Sequence, residues 1–269
     1  MPTPFTDPEA RAAVDRFRAV RRAPDLAVLE GFHALKHALR FGAPVIEVVT
    51  TDPAALDALA RDLAPDVAAA MCAAARTISP ERFAELAPRT PRTGVMALAA
   101  RPAVDVAALL ADRTPGPIVL LEDPRNLSNL GACVRVAAGA GAAGVLTTGD
   151  NDPWSPDALR GAAGLHYALP VARVDGLADG PNGDARVARR PLIAVDPEGA
   201  PLDPTRLDPR AILAFGTERD GLSAPLLAAA DARVRIPMRA GVSSLNLATS
   251  VAAVLYVCRF GGEWGKLPG

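Results

Sequence analysis

Polar and charged side chains that could do chemistry punctuate the second half of this 269-residue chain, among them Asn129, Arg135, Glu218 and Asn246. Asn126 and Asn129 lie in a turn after the apolar run 118–122, and Arg135 follows Asn129 by six residues. A helix beginning near Asn129 puts that amide at its N-terminal end and Arg135 nearly two turns later. A guanidinium there can grip a phosphate or a polarised oxygen in a forked geometry. Each residue also has a plainer use: Arg135 in a helix-face ion pair, Asn129 as an N-cap, Glu218 as a brace within its loop.

Glu218 sits in Gly216-Thr217-Glu218-Arg219-Asp220-Gly221-Leu222-Ser223, directly after the apolar run 211–215. Two glycines framing a tight loop at a strand's carboxyl end suit backbone contact with a nucleoside. Asn246 belongs to a third stretch, in which a β-rich run 234–238 closed by Pro237 leads through a Gly-Ser loop into a small-residue helix over 245–258. Ser243, Ser244 and Asn246 are all competent to cap that helix. The G-x-G-x-x-G at Gly139 to Gly144 follows a helix and leads into a strand, the reverse of the dinucleotide fingerprint, and no P-loop occurs, which disfavours the ordinary dinucleotide and nucleotide-triphosphate folds.

The elements that must position these groups alternate. The pattern predicts a helix over 8–22, strand 26–29, helix 31–41, strand 45–50, helix 53–63, strand 67–71, a short element 80–86 and strand 95–99. Arg101-Pro102 and Thr114-Pro115-Gly116-Pro117 bracket a connection, with a domain boundary near residue 105. Alternation then restarts with strand 118–122, the helix carrying Arg135, strand 144–148, helix 157–163, 169–174, a Gly/Asp/Pro-rich surface loop over 175–184, and strands 192–195 and 211–215. Such alternation implies a layered α/β fold with a parallel sheet.

The first helix carries Arg11, Arg16, Arg18, Arg21 and Arg22 among Glu9 and Asp15. A solvated face is expected, with phosphate contact as the alternative. His33 and His37 have metal-ligand spacing, but no glutamate lies between them in zinc-protease fashion and no third ligand is near, so a structural role and no metal are expected.

Net charge is −1, so any polyanion site must be a local patch. Cys72, Cys133 and Cys258 are widely spaced, which fits a reducing compartment, and Cys133 reads as core. The first residues lack signal-peptide character and no apolar run is long enough to span a bilayer, so a cytoplasmic protein without a membrane segment is expected.

Taken in order, Asn129-Leu130-Gly131-Ala132-Cys133-Val134-Arg135, Gly216 to Ser223, and Ile236-Pro237-Met238 with Ser244 to Tyr256 resemble the three motifs of the SpoU-type (TrmH-like) RNA 2′-O-ribose methyltransferases, knotted members of the SPOUT superfamily. Ser155 to Gly164 followed by Leu169-Pro170-Val171 is similar to the family's middle segment, although Ala162 and Ala163 stand where a serine is common. Leu29 to Leu35 with Val45 to Thr50 looks like the small domain that often precedes the catalytic one. The resemblance implies an α/β chain: an RNA substrate-binding domain over 1–105, with 1–25 as a helical extension, then a catalytic domain over 106–269. That second domain would have a mostly parallel sheet, helices on both faces and a trefoil knot.

The implied activity is methylation of a ribose 2′-hydroxyl in structured rRNA or tRNA using S-adenosylmethionine, by a homodimer. Arg135, Asn129, Glu218 and Asn246 are then the catalytic set. Gly216, Ile236 and Leu245 contact the cofactor, together with Thr147, Met238 and Ser244. Arginine stays protonated to very high pH, so Arg135 is expected to bind the adjacent phosphate and stabilise the developing alkoxide, with the proton acceptor unassigned. Two other readings stand beside this one: a non-catalytic RNA-binding protein with the same fold, and a knotted enzyme that methylates a base.

Overall fold

Short polar side chains set most helix starts by accepting otherwise free amides. Asp52 accepts from Ala54 and Ala55, Ser79 from Arg82, Asp105 from Ala108, Asn126 from Asn129, and Ser223 from Leu226, at 2.9 to 3.3 Å. The computed structural model describes residues 4–21, 23–176, 190–217 and 220–261. In chain order the elements are α1 (Asp7–Val20), β1 (Leu26–Glu30), α2 (Phe32–Arg40), β2 (Val45–Thr50), α3 (Pro53–Leu63), α4 (Ala68–Ala74), β3 (Ala75–Thr77), α5 (Pro80–Ala84) and β4 (Val95–Ala100). There follow α6 (Val106–Ala111), β5 (Ile118–Leu121), α7 (Leu127–Ala140), β6 (Gly144–Thr147), α8 (Pro156–Gly161) and β7 (Val171–Arg173). The chain continues with β8 (Leu192–Pro201), β9 (Ile212–Phe215), α9 (Ala224–Ala229), β10 (Ala232–Arg235) and α10 (Leu247–Gly261).

Two compact units result, Met1–Ala103 with Trp154–Ala168, and Val104–Pro153 with Leu169–Gly269. In the first, the sheet order is β1-β4-β2-β3, antiparallel except for β2 with β3. Phe17 of α1 packs with Val28, Val49, Phe83, Met96 and Leu98 on one face. Helix α8 and the 3-10 turn after it pack with this unit, against β1 and α2. The buried Glu30 carboxylate takes Arg21 at 2.6 Å and also Arg160 of α8. Gly164, at φ +77°, lies so close to Ala34 that a Cβ would sit 2.6 Å from the Ala34 carbonyl oxygen.

In the second unit every pairing of the sheet, ordered β10-β8-β9-β5-β6-β7, is parallel. Ile118, Leu120, Leu146, Ala194 and Ala214 meet α6 and α9 residues on one face. The residues that alternate with them, Val119, Leu121, Val145 and Leu213, are fully buried, as are Leu130, Cys133 and Val134 of α7. Helices therefore cover both faces, as a sheet of continuous apolar strands demands. Among the described residues no helix is long and apolar enough to cross a membrane.

Several expected elements shift. Residues 67–71 were expected as a strand but begin α4, because their three alanines and Met71 favour helix and only Val67 is β-branched. The connection over 101–117 contains α6, nucleated by the Asp105 cap. The strand expected over 234–238 lies at 232–235 instead; Pro237 cannot donate to a ladder. Arg11, Arg16, Arg18 and Arg21 each already face a carboxylate, respectively Asp7, Glu47, Glu85 and Glu30. His37 Nδ1 donates to the Ala163 carbonyl at 2.7 Å, and burial pushes its imidazole below the ordinary histidine range. Arg22 and most of the 175–184 loop lie outside the described residues.

The Glu30 junction yields a stability test. Glu30→Ala leaves Arg21 with only the Leu86 carbonyl and Arg160 with only Asp157, and is expected to cost about 2–3 kcal/mol by urea unfolding, below the roughly 3–5 kcal/mol of a fully broken buried pair because Arg160 is part-exposed and keeps a carboxylate. A loss under about 0.5 kcal/mol contradicts this account of how α8 joins the first unit.

Candidate functional site at the carboxyl edge of the parallel sheet

All strands of the second sheet run the same way, so their carboxyl ends and the loops that leave them lie along one edge. Leu121 pairs in register with Thr147 on one side and Phe215 on the other. Glu122 and Gly216 therefore emerge side by side, with the Glu122 amide still donating to the Phe215 carbonyl at 2.9 Å. Asp123 follows at φ 43°, an uncommon conformation for a residue with a Cβ, and its amide donates to Thr148 Oγ1 at 3.1 Å.

The loop after β9 closes on itself. Thr217 and Gly221 exchange backbone hydrogen bonds, both 3.1 Å, and a Cβ on Gly216 would lie 2.0 Å from the Gly221 carbonyl carbon. Only glycine permits that fold. Glu122 then ties the loop's far end: its carboxylate accepts from the Ser223 amide at 2.7 Å and from Ser223 Oγ at 2.5 Å. Glu218 lies outside the described residues.

Helix α7 starts earlier than expected. Asn126, not Asn129, is its N-cap, accepting from the Asn129 amide at 3.0 Å, and Asn129 is the third helical residue. Residues 122–126 form the turn between β5 and this helix. The Asn129 side chain is thus released for a longer reach. Its Oδ1 accepts from Asn246 Nδ2 at 3.2 Å. Asn246 in turn is the cap of α10, its Oδ1 accepting from the Ala248 amide at 2.9 Å and the Thr249 amide at 3.4 Å. Those two donors fix which way its carboxamide points, so the remaining NH₂ is aimed at Asn129.

At their other ends the same two helices are joined again. Arg259 Nη1 donates to the Ala140 carbonyl at 2.7 Å, the last residue of α7, where a cation complements the helix dipole. Both contacts together make α7 and α10 a parallel pair with adjacent N-termini. Arg135 is exposed on α7, and its guanidinium makes no hydrogen bond or ion pair with the described residues. The helix-face ion pair considered for it is therefore absent among them.

The remaining expected site residues are spread around this edge. Thr147 is fully buried at the end of β6, and its Oγ1 has no hydrogen-bond partner among the described residues. Ile236 and Met238 are half-buried just beyond β10, while Ser244 and Leu245 are exposed immediately before Asn246. The structure thus bonds Asn129 to Asn246 directly and leaves Arg135 without a direct bond to either. Sequence reasoning passed over Glu122 and Ser223. The serine had a readable signal, the helix-start pattern Ser223-Ala224-Pro225; the glutamate, a strand-end residue, had none.

The double duty of Asn246 can be separated by two substitutions. Asn246→Ala loses the cap and the Asn129 bond together and is expected to cost about 1–2 kcal/mol in urea unfolding. Asn246→Asp keeps the capping oxygen and is expected to recover most of that loss. Equal losses for the two would mean that capping is not what Asn246 contributes.

Comparison with known proteins places this edge in context. The profile of the SpoU rRNA Methylase family matches residues 116–256. The 23S rRNA (guanosine-2′-O-)-methyltransferase RlmB of Burkholderia sp. is 30% identical over 239 residues, covering 87% of this chain and 96% of that protein. An uncharacterised tRNA/rRNA methyltransferase of Synechocystis sp. is 35% identical over 174 residues, 61% of this chain and 63% of that one. The chain spans about three fifths of the length of the first curated relatives it matches. The crystal structure of the SpoU methyltransferase AviRb from Streptomyces viridochromogenes, in complex with AdoMet, superposes with a TM-score of 0.75 at 26% identity, covering 94% of this chain and 99% of that one. The profile match spans the strands and loops that build the sheet edge, and with a relative 30% identical over 87% of the chain it shows that the chain belongs to the SpoU rRNA methylase family.

Proposed function

We propose that this protein transfers the methyl group of S-adenosylmethionine to a ribose 2′-hydroxyl in structured rRNA or tRNA. The observation that carries the reading is the Asn129–Asn246 bond, which joins the first and third motifs at paired helix N-termini beside the Gly216 loop. Relatives named 23S rRNA 2′-O-methyltransferases supply the reaction type.

The residues present fit the cofactor. The buried Thr147 Oγ1 is a polar atom that the described residues leave unused, and Ile236 and Met238 beyond β10 and Leu245 before α10 keep apolar surface open. In this reading those side chains hold the adenosine with Gly216 and Ser244, and the Glu122–Ser223 contact keeps the Gly216 loop in place. S-adenosylmethionine supplies an electrophilic methyl on a sulfonium.

Transfer to the 2′-oxygen would leave the sulfur as a neutral thioether, with the hydroxyl proton released to solvent. Exposed Arg135 is suited to gripping the neighbouring phosphate and stabilising negative charge as it develops on the 2′-oxygen. The N-termini of α7 and α10 add a positive field there. Asn129 and Asn246 orient the elements that carry these groups, and Glu218 belongs to the same proposal as a contact from the glycine loop.

The homodimer belongs to the reading as well. Tyr256, Val257 and Phe260 leave an exposed apolar stripe on α10, 37%, 45% and 83% accessible. A knotted path is also part of it, supported by the superposition on the SpoU methyltransferase AviRb over 94% of the chain. Three unbridged cysteines agree with a cytoplasmic setting.

Nuclease digestion and mass spectrometry of RNA treated with the protein and S-adenosylmethionine is expected to show one new 2′-O-methylnucleoside. A methylated base in its place would favour the base-modifying alternative, and no product the non-catalytic one. Arg135→Lys is expected to lower turnover about 100-fold or more with S-adenosylmethionine affinity unchanged. Phe260→Glu with Val257→Glu is expected to shift the protein from dimer to monomer in light scattering; an unchanged mass removes α10 as the dimer face.

A further inference from the structure

With a net charge of −1, attraction to a polyanion has to come from cations that the fold leaves unneutralised. In the first unit such cations are scarce. Arg16, Arg18, Arg40 and Arg76 each sit 2.6 to 3.1 Å from a carboxylate, so the arginine-bearing helix α1 presents little net positive charge. Arg89 and Arg92 differ. Both are exposed, and neither makes an ion pair or side-chain hydrogen bond with any described residue.

The loop that carries them is built rather than slack. Pro88 and Pro91 fix two of its φ angles. The Gly94 amide donates to the Pro91 carbonyl at 3.1 Å, and the Gly94 carbonyl accepts from the Thr51 amide at 3.0 Å. Thr93 Oγ1 accepts from the Phe32 amide at 3.0 Å. Pro91 and Thr93 press on Gly31, where a Cβ would meet them at 3.4 and 3.3 Å. Two uncommitted guanidiniums are thus displayed on a pinned backbone, which lowers the ordering cost of binding.

We propose that the loop Pro88–Gly94 is a phosphate-backbone docking surface for RNA, with Arg89 and Arg92 each engaging a phosphate. An acidic protein surface fits less well, because the loop offers no large apolar side chain to form the dry centre such an interface needs. The inference rests on the reading that RNA is the substrate, and it adds a contact from the first unit, which carries none of the residues assigned to methyl transfer.

The test is filter binding of the full chain to purified 23S rRNA and, separately, bulk tRNA across a salt series. Arg89→Gln with Arg92→Gln is expected to flatten the plot of log affinity against log salt by about 1.4–1.8, roughly 0.7–0.9 for each lost phosphate contact. Arg89→Lys with Arg92→Lys is expected to keep most of the slope. Arg11→Gln with Arg18→Gln on α1, the same change in net charge, is expected to leave it nearly unchanged. A wild-type slope in the glutamine variant, or equal flattening in the α1 control, overturns the proposal and leaves an acidic protein as the loop's partner. Binding needs no methyl transfer: loss of slope in a protein that methylates nothing would sink the proposed activity alone, and a full slope in an active enzyme would sink the loop assignment alone.

Discussion

The carboxamide bond between Asn129 and Asn246 is the contact on which the rest of the site depends. Each residue belongs to the first turn of its helix, and 117 residues of chain separate them. Asn246 can donate to Asn129 only because its oxygen is already committed to the amides that open α10. Capping one helix therefore aims the group that locks the other. With Arg259 bound to the end of α7, the pair cannot slide without breaking a bond at one end or the other.

A parallel helix pair has a consequence that an antiparallel pair lacks. Both dipoles point the same way, so their positive ends add rather than cancel, and they add at the edge where the strands of the sheet end. Gly216 and Glu122 belong to that same edge. The glycine lets the loop after β9 fold to within contact of its own backbone, and Glu122 holds the loop's far end through Ser223. In the proposed reaction this arrangement keeps cofactor-facing groups stationary while Arg135, unpaired among the described residues, stays free for the substrate.

Much of this was legible in the sequence, and the exceptions have physical causes. The strands 118–121, 144–147 and 212–215 read clearly because buried parallel strands are continuous apolar runs. The three motifs were legible by residue type and order. The cap of α7 was not, since Asn126 and Asn129 are chemically alike and residue type does not choose between them. Residues 67–71 read as a strand in the sequence because the apolar run is too short to show the helical period of α4. The placement of 154–168 with the first unit depends on the Arg160–Glu30 pair and the Gly164–Ala34 packing, contacts between residues about 130 apart. No local pattern encodes them. The role of Glu122 was invisible for the same reason: its partner is 101 residues away.

If the two asparagines act as one unit, their substitutions cannot be independent. The most direct test is a double-mutant cycle on methyl transfer to RNA, comparing Asn129→Ala, Asn246→Ala and the double variant. The account predicts that the double variant is little worse than the more impaired single one, a coupling of about 1 kcal/mol or more. Losses that simply multiply would contradict it.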